Sequence, residues 1–391
     1  MPFFTRQHLT MLIFFLQPIA FGGWLPRIPD IQEALGLGPA ALAVALIGLP
    51  CGTLLTLPFS GPLVGRIGAW RAMLIGFPIH LAAVCLPTFA SSQLLLFLAL
   101  MLVGASLSFV ELALNVEAAE TEKATGELIM SKSHGFWSLG IMAGSLIGSG
   151  LASLGLAPHF SVPLAAIVCL PIALIVVWSF PRAESSHAAE EKHSHSLKLP
   201  SWPLLAICLF VVGISITEGA MADWSAVYLR TVFVADPGAA GLGYSAFALV
   251  VALGRLLGDR LRESWGAMTL ARVCGVLAVA GVAVLTMAPN AAVAYLGFGL
   301  IGIGVSVGFP LAVSAAAALP GSASQNVAVL TFVALAGFLV GPPVIGFISE
   351  HLAMRLGLAA LIPALVVSLL FSSRLRSVAA APASQPLPEV L

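Results

Sequence analysis

Runs of about 20 mainly apolar residues recur twelve times along this chain, and that recurrence leaves few folds open. A run of this length crosses a bilayer as a helix, because in hydrocarbon the backbone polar groups must bond within the segment or in a closed barrel. The runs cover 9–29, 40–62, 72–90, 93–116, 133–155, 160–180, 202–229, 240–260, 267–287, 291–315, 325–348 and 352–373. They are continuous rather than alternating, which excludes a membrane barrel. Charged residues make up only 9% of the 391 and the mean hydropathy is +1.05. Soluble domains carry about a quarter charged residues, so lipid is the main solvent here. The net charge of +0 provides no basic field for nucleic acid. The first run, after Arg6, lacks an Ala-x-Ala-like cleavage site and is expected to stay as the first helix. Cys51, Cys85, Cys169, Cys208 and Cys274 all lie in apolar runs without CxxC or His/Cys spacing, and read as core residues rather than metal ligands.

Cationic residues set the orientation. With the N-terminus inside, the inner segments hold Arg6, Arg66, Arg71, Lys123, Lys132, Arg182, Lys192, Lys198, Arg255, Arg260, Arg262, Arg272, Arg374 and Arg376, and the outer ones only Arg27, Arg230 and Arg355. That 14-to-3 split of the 17 Lys and Arg residues predicts an even number of spans with both termini in the cytoplasm. The hydrophilic stretch 181–200, which includes His187, His193 and His195, reads as a cytoplasmic linker between an N-terminal half, 1–180, and a C-terminal half, 201–376. The Ala/Pro/Ser-rich tail 377–391 is expected to be disordered.

The halves repeat. Trp24 matches Trp224; Gly61-Pro-Leu-Val-Gly65 and Trp70 match Gly254-Arg-Leu-Leu-Gly258 and Trp265. Gly140, Gly144 and Gly148 match Gly337, Gly341 and Gly346. The fold class expected is therefore an all-α membrane protein of twelve helices in two pseudo-symmetric six-helix bundles, with the glycine ladder serving close helix packing.

In these features the chain resembles the major facilitator superfamily over nearly its whole length. The family's loop motif, G-x-x-x-D-R-x-G, is met by Gly61-Pro-Leu-Val-Gly65-Arg66-Ile-Gly68, with Gly65 at the place of the acid and Arg71 following. The second copy offers Asp259 and Arg260. The resemblance implies that Arg66, Arg71, Asp259 and Arg260 exchange ion pairs as gates; the bland reading is that they are positive-inside anchors. His134-Gly-Phe-Trp137-Ser-Leu-Gly140 and the segment from Glu218 to Tyr228 are similar to the fucose-permease-like branch and its bacterial inner-membrane members of the YbjJ kind. That similarity implies a proton-linked transporter in a bacterial inner membrane.

Charges inside spans are costly and face a cavity or a partner. Glu111, Glu218 and Asp223 have no Lys or Arg at comparable depth in the sequence, and a carboxyl without a countercharge in a dry setting favours its protonated form. These acids, with His134, are the candidate proton carriers. Gln17, Trp24, Asn115, Trp137 and Trp224 are candidate solute-binding residues; helix–helix bonding or an interfacial aromatic belt would use the same residue types. Pro18, Pro50, Pro310, Pro342 and Pro343 are expected to interrupt their spans.

No G-x-x-x-x-G-K-[ST] run and no nucleophile–His–acid set occurs, so neither an ATP-driven pump nor an enzyme is expected, and no cofactor or metal. The function expected is alternating-access transport of a small solute with protons, sugar-like or otherwise polar, by a monomer in lipid. Two other readings stand beside it: a proton-driven exporter of amphipathic compounds, and a non-transporting membrane sensor or scaffold.

Overall fold

The computed structural model describes residues 5–181 and 200–375. Most of the expected linker, with His187, His193 and His195, and the tail from 376 lie outside the described residues. Twelve helical segments are long and apolar enough to cross a membrane, and no strand occurs among the described residues. In chain order they are α1 (Arg6–Ala34), α2 (Pro39–Ile67), α3 (Ala69–Phe89), α4 (Gln93–Thr125), α5 (Lys132–Ser153), α6 (Pro158–Trp178), α7 (Trp202–Phe233), α8 (Pro237–Trp265), α9 (Ala267–Met287), α10 (Ala291–Ala317), α11 (Gln325–His351) and α12 (Met354–Leu375).

The packing repeats in the two halves. In the first, α1 lies against α5 and α6, α2 against α4, and α3 against α4 and α6. In the second, α7 lies against α11 and α12, α8 against α10, and α9 against α10 and α12. The halves meet where α5 packs on α8 and α2 on α11, a pair of contacts that two-fold symmetry interchanges. The glycine ladder of α5 makes its seam with α1: a Cβ on Gly140, Gly144 or Gly148 would run into the carbonyls of Phe15, Ile19 and Gly23. Small residues let backbones approach where lipid offers no hydrophobic drive between helices.

Several helices run past the apolar runs that announce them. The largest extension is α4, which continues to Thr125 through an acidic stretch. Its end is fastened: Glu117 pairs with Arg6 at 2.7 Å, and Oε1 of Glu122 accepts the backbone N–H groups of Ile129 and Met130 at 2.7 and 2.8 Å. Gly126, at φ 75°, then closes the helix in the left-handed conformation that glycine tolerates.

Four spans are broken, close to Pro18 in α1, Pro50 in α2, Pro310 in α10 and Pro363 in α12. Proline lacks the N–H that would bond four residues back. The expectation for Pro342 and Pro343 does not hold, because both lie inside an unbroken α11.

One end of the bundle carries Arg66, Arg71, Lys123, Lys132, Arg260 and Arg262, and is called here the cation-rich end. At the opposite end the halves are tied. Arg230 at the end of α7 pairs with Glu33 of α1 at 2.8 Å, and Oε2 of Glu350 on α11 accepts from the Ala40 N–H at the start of α2 at 3.2 Å. Gly346 packs on Pro39 and Ala43, and Gly241 on Pro26 and Ser149.

Candidate functional site

The middle of α7 and α8 holds an ion pair. Glu218 lies about midway along α7, and Arg255 lies ten residues inside the cation-rich end of α8, about 15 Å along the helix. Arg255 Nη2 donates to Oε1 of Glu218 at 2.9 Å. Its Nη1 donates across the interface to Oγ of Ser138 on α5, also at 2.9 Å, so one guanidinium joins the two halves. Its Nε lies 3.4 Å from the Ser306 carbonyl of α10, which the ring of Pro310 deprives of an intrahelical donor. The sequence places Arg255 among the anchors of the cation-rich end and leaves Glu218 without a cation at its depth. The structure corrects both, because the long arginine side chain turns inward from a helix that extends beyond its apolar run.

Asp223 lies five residues beyond Glu218, about 7.5 Å along α7 and roughly 140° around it. It is partly exposed, with no ion pair or hydrogen bond among the described residues. The phenol of Tyr244 on α8, almost fully enclosed, lies within electrostatic reach of Glu218, Arg255 and Asp223.

The first half faces this group with two polar clusters. His134 Nε2 lies 3.1 Å from Oδ1 of Asn115, joining α5 to α4, and the His134 carbonyl accepts from the same Ser138 hydroxyl that Arg255 reaches. Glu111, one turn from Asn115, is partly exposed and has no partner among the described residues. The second cluster begins at Trp137. Its indole, which can only donate, gives its hydrogen to Oε1 of Gln17 at 2.7 Å, which turns the Gln17 amide N–H toward Nε2 of His80 at 3.1 Å. His80 Nε2 is therefore the acceptor, and its Nδ1–H points at Oγ of Ser106, 3.1 Å away. Gln17 sits in the break of α1 beside Pro18, which turns its side chain into the bundle.

Not every candidate binding residue reaches open space. Gln17 and His80 are fully buried, with both polar ends of each side chain engaged. Trp24 and Trp224 are core residues, 2% and 0% exposed, and not on a cavity rim in this conformation. The indole nitrogen of Trp224 is buried without a partner among the described residues. Asn115 and Trp137 remain partly exposed.

A family model described as Major Facilitator Superfamily matches residues 10–339. The chain belongs to the major facilitator superfamily. It is a membrane transporter of some small solute, with the twelve-helix architecture of that family. An uncharacterised MFS-type transporter of Yersinia pestis is 30% identical over 92% of this chain and 94% of its own length. An uncharacterised transporter of Sinorhizobium fredii is 32% identical over 88% of this chain and 91% of its own. Among solved structures, that of the nucleoside transporter NupG, as a D323A mutant, superposes with a TM-score of 0.78 at 11% identity, covering 95% of this chain and 100% of the other.

The transporter's two loop motifs are re-registered by the fold. The turn from α2 to α3 passes through Gly68 at φ 81°, and that from α8 to α9 through Gly266 at φ 75°. With these glycines as fixed points, Gly65 stands three residues before one turn and Glu263 three before the other. The acid equivalent in place to Gly65 is thus Glu263, and Asp259 lies one turn earlier on the helix. Arg66, Arg71, Asp259 and Arg260 are exposed, and none of their side chains makes an ion pair or hydrogen bond among the described residues.

Proposed function

We propose that this transporter moves a small polar solute across a bacterial inner membrane with protons, by alternating access between its halves. The halves are taken as 1–180 and 201–376, joined by the linker 181–200, in a monomer with both termini in the cytoplasm. The charge asymmetry favours a cytoplasmic cation-rich end. The conformation described is then read as inward-facing, because both ties between the helix ends of the two halves lie at the other end, while Arg255–Ser138 joins the halves inside the bundle.

The observation that carries the proposal is the Glu218–Arg255 pair bridged to Ser138. A titratable carboxylate stands where the halves meet, so its charge state acts on both at once. Asp223 is the second candidate carrier, and Glu111 and His134 of the first half are the others. The solute is read as sugar-like or similarly polar, contacted by Asn115 and Trp137, with Gln17 holding the Trp137 indole from behind, while Trp24 and Trp224 would have to leave the core in another conformation to reach it. Arg66, Arg71, Asp259 and Arg260, joined by Glu263, are assigned to ion pairs that close the cytoplasmic face in the opposite state.

Proteoliposomes enclosing a pH-sensitive dye test this. Addition of a transported solute from a panel of sugars, polyols and their acids is expected to move protons, and Glu218→Gln or Asp223→Asn to stop it. Uptake equally proton-driven in both variants would sink the assignment. A folded protein that moves nothing in the panel would favour the sensor or scaffold reading, and a gain of drug resistance in expressing cells the exporter reading.

A further inference from the structure

We infer that the solute is an anion, a small hydroxylated carboxylate, and that Arg255 is the group that binds its carboxylate. The inference rests on the reading above that Glu218 carries the proton.

Arg255 is the most deeply placed Lys or Arg among the described residues, and its guanidinium stays charged at any working pH. Its one countercharge among the described residues is Glu218, and both side chains remain in touch with open space, at 19% and 20% exposure. Of its five N–H donors, three are occupied by Glu218, Ser138 and the Ser306 carbonyl, which leaves two to spare. Protonation of Glu218 removes the countercharge and strands a cation inside the membrane, which is costly. A neutral solute cannot make good that loss. A carboxylate can, because guanidinium and carboxylate match in two parallel hydrogen bonds. Proton and anion then load together, and the site stays neutral with or without its cargo.

The surroundings fit hydroxyl groups on that anion. Tyr244 on α8 bears a hydroxyl without a partner among the described residues, within electrostatic reach of the pair and of Asp223, whose carboxylate, also without a partner among them, lies about 7.5 Å further along α7. His134 on α5 is near enough to sense the Arg255 charge and is tied to Asn115. Asp223 would repel a carboxylate beside it, so the acid end of the solute lies on Arg255 and its hydroxyls extend toward Asp223 and Tyr244.

The probe is acetate, with acetamide as its neutral match, and the readout is thermal unfolding of the purified full-length transporter. Glu218→Gln frees Arg255 permanently, so acetate at pH 7.5 should raise its Tm by about 2 °C or more over acetamide. The double variant Glu218→Gln/Arg255→Gln should show no difference between the two. If Glu218→Gln does not fold, Glu218→Ala, which also removes the countercharge from Arg255, is put through the same comparison at pH 7.5. No acetate-specific shift, or a shift that survives loss of Arg255, overturns the inference. Proton movement is measured separately with the dye. Absent acetate binding with coupling intact sinks this inference alone, and intact acetate binding with Glu218→Gln still coupled sinks the earlier reading alone.

Discussion

Trp137 on α5 and Gln17 on α1 are joined by a 2.7 Å hydrogen bond that fixes the direction of every bond behind it. Because the indole only donates, the Gln17 amide has one allowed orientation, and His80 one allowed tautomer, with the hydrogen on Nδ1. Nitrogen-15 chemical shifts of labelled His80 are expected to report that neutral tautomer. Trp137→Phe should switch part of the population by freeing the amide to rotate, and should lower stability by about 1 kcal/mol. Gln17→Leu strips partners from both neighbours and is expected to cost about 2 kcal/mol in denaturant unfolding.

The ion pair should respond unequally to loss of its two members. Arg255→Gln leaves a carboxylate that can neutralise itself by taking up a proton, whereas Glu218→Gln leaves a guanidinium that cannot. Thermal unfolding in detergent is therefore expected to show the larger loss, about 3 kcal/mol, for Glu218→Gln. The double variant should recover much of it. Equal losses in the two single variants would contradict the asymmetry.

The clasp at the cation-poor end should govern how often that end opens. Arg230→Ala and Glu350→Ala each remove one tie between the halves, worth about 0.5–1 kcal/mol for an exposed contact. Each is expected to shift the open fraction about two- to five-fold, and together more. Double electron–electron resonance between spin labels on the ends of α1 and α7 would read the shift. Unchanged distance distributions in the combined variant would count against the clasp.

The turn register makes a prediction about the loops. If the position three residues before the turn glycine is the one that matters, Glu263→Gln should slow transport more than Asp259→Asn. Initial uptake rates in proteoliposomes decide it, and the reverse order would restore Asp259 to the role.

Close packing of α5 on α1 is equally open to test. A side chain at Gly144 meets the Ile19 carbonyl of the facing helix, which cannot yield without moving the backbone. Gly144→Val is expected to fail size-exclusion analysis as a folded species, while Gly150→Val, where nothing lies within 4 Å, should behave as the wild type.

Much of this architecture is written in the sequence, because lipid imposes composition directly. The twelve spans follow from apolar length, and the role of Gly140, Gly144 and Gly148 follows from their spacing. The site is less legible for a physical reason. Where a long side chain points depends on the neighbouring helices, so Arg255 reads as an anchor although it turns inward to Glu218. Burial has the same dependence: Trp224 has the sequence setting of an interfacial aromatic and lies in the core. The motif register needed backbone angles at Gly68 and Gly266, which no pattern of letters records. Proline is also ambiguous, since Pro310 accompanies a break and Pro342 does not.

The Ser306 carbonyl adds a demand on hydration. Ser306 is 1% exposed, Pro310 cannot serve its carbonyl, and Arg255 is its donor in this conformation. Whenever the guanidinium swings away, that oxygen must find another hydrogen, because an unserved carbonyl at this depth is costly. Water or cargo has to fill the place that Arg255 leaves. The centre of the protein therefore cannot open dry, and each cycle must bring either solvent or solute to the bend of α10.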